Sequence, residues 1–415
     1  MRMPKINSVQ ILLLLIAATL FLGHRAGPAV AQWSSPIVDT GQIPCYDDVG
    51  QIPCPRPGEP FYGQDAQYQG QQMTFRDNGD GTVTDLNTGL MWQKSPTFEH
   101  YTWAEGFAYA ENLLLAGYDD WRVPTIKELY SIVAFVGNQR DLRPYLDTEY
   151  FDFQYPDTSQ GYRIMDAQYW SSNKYVGRTM FGDISAFGFN FADGRIKSYP
   201  TGEGRGPTKR TYVRCVRGGD RYGVNDFIDN GDGTITDRAT GLMWMKGDSG
   251  ATMNWGQALA YAEGLEYAGY DDWRLPNAKE LQSIVDYTRA PDATDPQMRS
   301  AAIDPIFDLT ETESWCWTST THGDNNRHAI YICFGRALAY DRRTRRFDVN
   351  AHGAGAQRSD PKSGDPARWP RGLGPQADQI RINNYVRCVR GGAVPTKREI
   401  GTASKAGGQA VGTGS

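Results

Sequence analysis

Carboxylate and amide side chains cluster at two equivalent points of the sequence, Asp77, Asn78, Asp80 and Asp85, and Asp229, Asn230, Asp232 and Asp237. Oxygen atoms of this kind are the ligands that Ca²⁺ prefers. An EF-hand loop needs ligands at positions 1, 3 and 5 before its glycine, and with Gly81 as that glycine Arg76 occupies position 1. The repeated Asn-Gly-Asp-Gly instead predicts a tight turn between two strands. No metal and no cofactor are therefore expected.

Histidines give little support for catalysis. After residue 31 they are His100, His322, His328 and His352, and none stands at matching positions of the two repeats described below. The spacings H-x-x-x-H and H-E-x-x-H do not occur, nor does a nucleophile elbow or a phosphate loop. The sequence therefore predicts a protein that is not an enzyme.

Aromatic rings and cationic or amide side chains could bind a glycan without a metal, because rings stack on sugars and Arg or Asn bonds hydroxyls or sulfates. The candidates are Trp170, Asn173, Arg195, Trp317, Arg336, Arg342, Arg343, Arg345 and Arg346. Each type has a structural alternative. The two tryptophans would also suit a strand in the core, and the run of arginines from 342 to 346 would also suit a solvated loop.

Six cysteines follow residue 31, and an even number in an exported chain favours disulfides. The spacing C-x-x-C of a zinc site is absent. We predict a Cys45–Cys54 bridge, which closes a small loop between two GQIPC segments, and a Cys316–Cys333 bridge between neighbouring strands. Cys215 and Cys388 occupy equivalent places in the two repeats, and the sequence leaves open whether they pair or stay buried as thiols.

The elements that must position these residues occur twice. GYDDWRVPTIKELYSIV, residues 117–133, matches residues 269–285 at 13 of 17 positions. Each copy predicts a turn, a Trp-Arg pair, a proline and a helix that begins with a capping box. Apolar residues at helical spacing form one face of that helix, and Trp121 and Trp273 are expected in the core.

Other segments repeat in the same order. Residues 77–94 match residues 229–246 at 14 of 18 positions and predict a hairpin followed by a buried strand. A first helix follows in each copy, capped by Thr102 and Glu105 or by Asn254 and Gln257, with Leu114 on the apolar face of the first. Each copy ends with the identical YVRCVRGG, whose alternating valines predict a final strand.

These segments predict the domain organisation. A basic start, an apolar run and Ala29-Val30-Ala31 predict a signal peptide over residues 1–31. The expected parts after it are a Cys-stapled leader (32–74), a first repeat domain (75–219), a linker (220–226), a second repeat domain (227–392) with a mobile surface insertion (341–379), and a disordered tail (393–415). We expect export to the periplasm, the cell surface or the medium, and no membrane span after cleavage.

The net charge of the chain limits the kinds of partner that we expect. The formal net charge is −5, and without Arg2, Lys5 and Arg25 of the signal peptide 40 basic residues face 48 acidic ones, a net of −8. A generally basic surface is excluded, so no nucleic-acid partner is expected and a polyanion would need a local patch.

The motifs DNGDGTVTD, TGLMW, YDDWRVPT, YWSS and YVRCVRGG together resemble the C-terminal domain of the Legionella collagen-like adhesin, over residues 75–219 and 227–392. No collagen-like Gly-x-y region is present. The resemblance implies a relation to C-type-lectin-like proteins. The implied fold class is therefore α+β: two tandem C-type-lectin-like domains, each with two helices and a small twisted antiparallel sheet with long loops.

A second similarity links WRVPT-x-x-EL to the RLPT-x-x-E segment of the formylglycine-generating enzyme group. That group uses a close cysteine pair, whereas Cys316 and Cys333 are 17 residues apart and occur in one repeat only. The expected function is thus a secreted or periplasmic binding module for a glycan or a surface protein. The alternatives are a structural envelope protein without a small ligand, and an enzyme related to the formylglycine-generating group. The sequence leaves the oligomeric state unknown.

Overall fold

The computed structural model of the chain describes residues 33–392 apart from residues 181, 205 and 220. The proposed signal peptide and the proposed tail lie outside the described residues. Within the described ranges, no helix is long and apolar enough to cross a membrane.

Strands dominate the described residues, and the helices are few and short. The leader and the first repeat contain β1 (Cys45–Tyr46), β2 (Gln51–Ile52), β3 (Phe75–Asp77), β4 (Thr82–Asp85), β5 (Met91–Gln93), α1 (Trp103–Glu111), α2 (Ile126–Ser131), β6 (Gln168–Lys174), β7 (Ser185–Asn190), β8 (Arg195–Pro200) and β9 (Val216–Arg217). The second repeat contains β10 (Phe227–Asp229), β11 (Thr234–Asp237), β12 (Leu242–Met245), α3 (Trp255–Glu263), α4 (Ala278–Ser283), β13 (Trp315–Thr321), β14 (His328–Cys333), β15 (Leu338–Asp341), β16 (Arg346–Asn350), β17 (Gln357–Pro361) and β18 (Val389–Gly391). Short 3-10 helices span Asp65–Gln67, Gln139–Asp141, Thr158–Gln160, Pro296–Met298 and Pro366–Arg368.

Each repeat begins with a four-stranded antiparallel sheet, in the order β3-β4-β5-β9 or β10-β11-β12-β18. The predicted turn joins its first two strands. Asn78 Nδ2 donates to the hydroxyls of Thr82 and Thr84 at 2.9 Å, and Asp80 Oδ1 accepts from the Thr82 amide. The turn side chains thus hydrogen-bond the strand that follows them, which is the role expected of Asx turns.

All four α-helices begin with a capping box at the predicted residues. Trp121 and Trp273, which precede α2 and α4, are 3% and 0% exposed, so their predicted place in the core is confirmed. The arginine after each tryptophan pairs with the glutamate of the following cap, and in the second repeat Arg274 Nη1 lies 2.6 Å from Glu280 Oε2. The repeated stretch therefore fixes the start of a helix through both its backbone and its ion pair.

The largest sheet takes three strands from each repeat, in the order β13-β14-β17-β8-β7-β6. The two sets meet where β17 pairs with β8, at Gln357 and Ile196. In each repeat the third strand of the set, β8 or β17, pairs with the second, β7 or β14. The strands that pair across the junction, β8 and β17, are therefore equivalent strands of the two repeats. The helices α2 and α4 also contact each other, as like elements do across a two-fold axis.

The hydrophobic core continues across this junction. One cluster of buried residues draws on both repeats and includes Phe187 of β7 and Tyr287, whose ring centroids are 4.9 Å apart. Lys279 of α4 donates to the carbonyls of Ser131 and Asp39 at 2.9 Å, and so ties the second repeat to the first repeat and to the leader. Residues 34–392 belong to one compact unit.

The leader lies against the second repeat. Gln42 and Thr321 of β13 exchange two hydrogen bonds, with Gln42 Nε2 donating to the Thr321 carbonyl at 2.8 Å and the Thr321 amide donating to Gln42 Oε1 at 2.9 Å. Lys362 Nζ donates to the Asp47 carbonyl at 2.9 Å. The predicted Cys45–Cys54 disulfide is confirmed and joins β1 to the segment after β2.

The expected fold class, two tandem C-type-lectin-like domains of the α+β type, is wrong. The described residues are mostly β, with eighteen strands in five sheets and only four short helices. Two physical reasons account for the error. The helices stop early, since α2 ends before the β-branched pair Ile132 and Val133, which disfavours helix, and Leu114 lies beyond α1 with 74% of its surface exposed. Three strands of each repeat also pair across the junction, so β6, β7 and β8 share one six-stranded sheet with β13, β14 and β17 instead of forming two separate sheets.

The predicted Cys316–Cys333 disulfide is also contradicted, because both residues are buried thiols. The register of β13 and β14 places Cys316 opposite Ile332 and Cys333 opposite Trp315. Since side chains alternate between the faces of a sheet, the two sulfurs lie on opposite faces and in different core clusters. The sequence left open whether Cys215 and Cys388 pair with each other or stay buried as thiols. In the structure both are buried thiols.

Residues 341–379, expected as an insertion, contain β16, β17 and the Pro366–Arg368 turn. The strand β17 is part of the central sheet and holds the position equivalent to β8. The extra length of the second repeat therefore lies before and after β17, and β15 and β16 form a separate hairpin there.

Candidate functional site

A cleft runs over the β8–β17 junction, on the face of the central sheet that carries Arg195, Lys197 and Arg358. We call it the junction cleft. Its inner compartment has a volume of about 210 Å³ and takes one wall from β8 and β17 and another from the segment 373–380. Its outer compartment, about 470 Å³, extends along β8 toward His352. Arg163, Gln168, Lys197 and Gln376 line both compartments.

Arg358 is the central cation of the inner compartment. Its Nη2 forms an ion pair with Asp378 Oδ2, and the other carboxylate oxygen of Asp378 lies 2.9 Å from His352 Nε2. The Arg358 side chain is only 11% exposed. Its Nη1 atom is buried and has no hydrogen-bond partner among the described residues. A buried guanidinium with an unused donor favours an acceptor-bearing ligand at this point.

A second charged group lies on β8 and the turn before it. Asp193 Oδ2 lies 3.2 Å from Lys197 Nζ and 3.3 Å from Arg195 Nη1, and Arg195 also reaches Asp324 Oδ2 at 3.5 Å. The other oxygen of Asp193, Oδ1, is buried without a partner among the described residues. Two cations and two carboxylates thus form one network at this end of β8.

Burial and neighbouring charges set the protonation states in the cleft. Burial lowers the pKa of Lys197 to about 8 against the opposing pull of Asp193. Burial also lowers the pKa of His328 and of His352 to about 4, so both imidazoles are neutral near pH 7. Although burial alone would raise it, the Arg358 guanidinium and His352 hold the pKa of Asp378 below its ordinary value. Four cations, Arg163, Arg195, Lys197 and Arg358, line the inner compartment with the carboxylates Asp193 and Asp378, and two further carboxylates, Asp166 and Asp324, pair with Arg163 and Arg195.

Of the predicted ligand-binding residues, Arg195 alone lies in the junction cleft. Trp170 and Trp317 are 1% and 0% exposed, and their indole N–H groups donate to the Tyr101 and Met253 carbonyls at 2.9 Å. No ring face is left for a sugar, so the stacking role expected of these two residues does not hold in this structure.

Two other candidates have structural partners. Asn173 Oδ1 accepts from the Ile126 amide at 2.8 Å and joins β6 to the start of α2. Arg336 is paired with Glu313 at 2.6 Å and lies outside the cleft.

The predicted basic run forms the tip of the β15–β16 hairpin. Arg342, Arg343, Arg345 and Arg346 are all exposed, and Arg343 lies 3.4 Å from Asp341. The hairpin adjoins the cleft, because the Tyr340 amide of β15 donates to the Ala377 carbonyl at 3.0 Å. The tip is therefore a second basic surface beside the cleft wall.

Sequence reasoning missed Lys197, Arg358, Arg163 and Asp378. Lys197 follows Arg195 by two residues on a predicted strand, and the period of two could have placed both on one face. Arg358 and Asp378 fall in the stretch that departs from the repeat pattern, where no signal in the sequence indicates a strand beside β8.

Neither the repeated acidic turns nor the histidines form a reaction centre in the described residues. The turn carboxylates bind the turn itself or a lysine, as Asp77 does with Lys94 at 2.5 Å. Groups of three or more His, Cys, Asp or Glu side chains arranged to hold a metal are absent from the described ranges. His100 is stacked between Tyr162 and Tyr212, and burial lowers the pKa of His322 well below its ordinary value.

The fold and the cleft define a protein of two fused repeats that share one sheet and enclose a charged cleft at their junction. The family model of the Lcl C-terminal domain matches residues 81–217 and 233–351, and the chain belongs to that family. The two matched segments confirm the tandem repeat and the family resemblance of the sequence. This is a family of adhesin-like domains associated with secretion or the cell surface. A search of curated proteins found no match.

Proposed function

We propose that this protein is an exported, adhesin-like binding module and that the junction cleft binds an acidic glycan, one that carries carboxylate or sulfate groups. The observation that carries the proposal is Arg358, a buried guanidinium whose Nη1 has no partner among the described residues, in the wall of a compartment lined by four cationic side chains. Charge-assisted hydrogen bonds to such a group are about twice as strong as neutral ones.

The remaining lining supports a sugar ligand. Gln376, Gln379 and Ser359 offer amide and hydroxyl groups beside the cations. Such side chains bond the hydroxyl groups of a sugar ring while the cations bind its acidic substituent. The arginines of the hairpin tip would extend the contact for a long polyanion, which keeps the role predicted for them from the sequence.

The test uses the full chain with immobilised heparin, polygalacturonate and neutral dextran. We expect retention on one or both acidic polymers, weaker at higher salt because the exposed cations are screened, and no retention on dextran. Arg163→Ser with Lys197→Gln should weaken binding roughly tenfold to a hundredfold, since a hydrogen bond to a charged group contributes about 1.5–3 kcal/mol. Arg238→Ser is the matched control, because Arg238 is exposed and paired with Asp226 much as Arg163 is with Asp166.

A variant in which Ser replaces all four arginines of the hairpin tip distinguishes the contribution of the tip to binding from that of the cleft. These arginines are Arg342, Arg343, Arg345 and Arg346. A modest loss of affinity agrees with an accessory role for the tip. A complete loss in this variant, with the cleft variant unchanged, would contradict the assignment of the cleft. Retention on none of the acidic polymers would contradict the proposed function as a whole.

A further inference from the structure

The leader covers the α3 face of the second repeat. Trp255 of α3 is fully buried, and the Phe61 ring of the leader lies over it with centroids 6.1 Å apart. The contact is close, since a Cβ added at Gly256 would meet the Phe61 ring at 3.2 Å. An aromatic side chain of the leader thus takes part in the core of the second repeat.

Two polar contacts complete this docking. Tyr68 of the leader donates its hydroxyl to Glu263 Oε1 at 2.8 Å. Asp65 Oδ2 accepts from the Thr320 hydroxyl of β13 at 2.5 Å. Gly63 precedes both residues with φ of 97°, and a Cβ there would meet Glu263 at 2.6 Å, so glycine suits this approach. The leader therefore presents a ring, a phenol and a carboxylate to α3 and β13.

The first repeat carries the equivalent surface. Trp103 and Glu111 of α1 correspond to Trp255 and Glu263, and Asn173 of β6 corresponds to Thr320. The indole N–H of each tryptophan donates to the equivalent carbonyl, Ser171 for Trp103 at 2.9 Å and Thr318 for Trp255 at 2.8 Å. The backbone positions are thus the same in both repeats.

This surface of the first repeat differs in exposure. Trp103 is partly exposed where Trp255 is fully buried, and Glu111 is exposed. Lys174 Nζ lies 4.5 Å from the Trp103 ring, and Lys174 pairs with Glu203 at 2.8 Å with 39% of its side chain exposed. Asn173 borders an open pocket of about 340 Å³.

We propose that Trp103, Glu111, Asn173 and Lys174 form a docking site for an extended peptide segment of a partner protein, with the chemistry of the leader. The segment presents an aromatic ring to Trp103, a tyrosine hydroxyl to Glu111 and a carboxylate to Asn173 and Lys174. The leader on the second repeat is the internal precedent for the contacts at Trp103, Glu111 and Asn173, and Lys174 adds a cation where the second repeat has Thr321. The site is separate from the junction cleft and does not depend on the proposed glycan ligand.

The precedent favours a peptide over a sugar. A segment like the leader can bind the Glu111 carboxylate, the Asn173 amide and the Lys174 ammonium group at the same time. A glycine in such a segment lets its backbone come close to the helix. A sugar would stack on Trp103 but would bring no carboxylate or phenol in this arrangement unless modified. We therefore use a peptide as the probe and a neutral oligosaccharide as the alternative ligand.

The experiment presents a synthetic peptide of residues 56–69 to the immobilised full chain and measures binding by surface plasmon resonance. The peptide is supplied up to millimolar concentration, because tethering gives the chain's own leader an effective concentration of about that size. We expect saturation at one peptide per chain. Trp103→Ala should weaken binding roughly tenfold or more, as truncation of a central aromatic contact does, and Glu111→Ala severalfold. Glu266→Ala, an exposed glutamate of the second repeat, is the control and should change nothing.

Three results would overturn the inference. The first is no saturable binding at millimolar peptide. The second is binding that neither Trp103→Ala nor Glu111→Ala weakens, because the peptide would then replace the leader on the second repeat. The third is Trp103-dependent binding of maltohexaose without binding of the peptide. Glu111 is exposed, so its variant tests the site even where Trp103→Ala disturbs folding.

Discussion

Asp65 of the leader is a carboxyl group enclosed by the second repeat. Its Oδ2 accepts hydrogen bonds from the hydroxyls of Thr40 and Thr320, and its buried Oδ1 has no partner among the described residues. Burial in the first place, and Asp39 nearby, raise the pKa of Asp65 to about 7. The folded chain therefore holds a proton on this group that the unfolded chain releases at lower pH.

Asp65 makes a contribution of its own to the pH dependence of stability. Between about pH 4 and pH 7 the folded state binds the proton more tightly, so the free energy of unfolding falls as pH rises through that window and is then level. A difference of about three pKa units corresponds to about 4 kcal/mol. Asp65→Asn removes the titration, so we expect the stability of the variant relative to the wild type to rise by up to about 4 kcal/mol between pH 4 and pH 8.

Urea unfolding at pH 4, 6 and 8 measures this difference. Asp271→Asn, which changes an exposed carboxylate, should keep the wild-type pH profile. A difference between Asp65→Asn and the wild type that does not vary with pH would refute the assignment.

At the scale of elements, local signals were predictable from the sequence and pairing partners were not. The hairpin turns, the capping boxes and the buried Trp121 and Trp273 follow from residues that lie within a few positions of each other. The β8–β17 pair joins Ile196 to Gln357 across the chain, and no local pattern encodes it. For the same reason Arg195 was identified as a ligand-binding residue, whereas Arg358 on the partner strand was not. The Cys316–Cys333 error has the same origin, because the bridge depended on an offset of one residue between two strands.

The leader hairpin provides a prediction at this scale. Its disulfide closes a loop with a sequence separation of 9, which should stabilise the fold by about 2–3 kcal/mol through loss of entropy in the unfolded chain. Cys45→Ser with Cys54→Ser should lose that amount and should no longer respond to a reducing agent. The double variant Cys316→Ala and Cys333→Ala should still lose stability when a reducing agent is added, because these two thiols are not bridged. Peptide mapping without reduction that found a Cys316–Cys333 link would contradict the structure.

At the scale of the whole molecule, the two repeats share one sheet and one core. Tyr287 of the second repeat lies against Phe187 of the first and donates its hydroxyl to the Gly355 carbonyl at 3.1 Å. Neither repeat therefore buries its core alone. The second repeat supplies part of the environment that keeps the first one folded.

We expect a single cooperative unfolding transition for the described unit, with calorimetric and van't Hoff enthalpies that agree. Tyr287→Ala should lower the stability of the entire unit by about 3 kcal/mol or more, in the range of large-to-small changes in a core. Leu114→Ala, at a side chain that is 74% exposed, is the control and should leave the transition in place. Two resolved transitions in scanning calorimetry, only one of them shifted by Tyr287→Ala, would show that the repeats fold separately.

The contact between leader and second repeat has a consequence for synthesis. Asp65 and its partner Thr320 are separated by 255 positions. A ribosome that adds about 5–20 residues per second needs roughly 10–50 s to pass from one to the other. For that interval the carboxyl of Asp65 lacks its partner on the second repeat, and the ring of Phe61 likewise has to wait until Trp255 has been made. The nascent leader is thus the part of the described chain that waits longest for its partner, and it is where a chaperone would have the most time to bind.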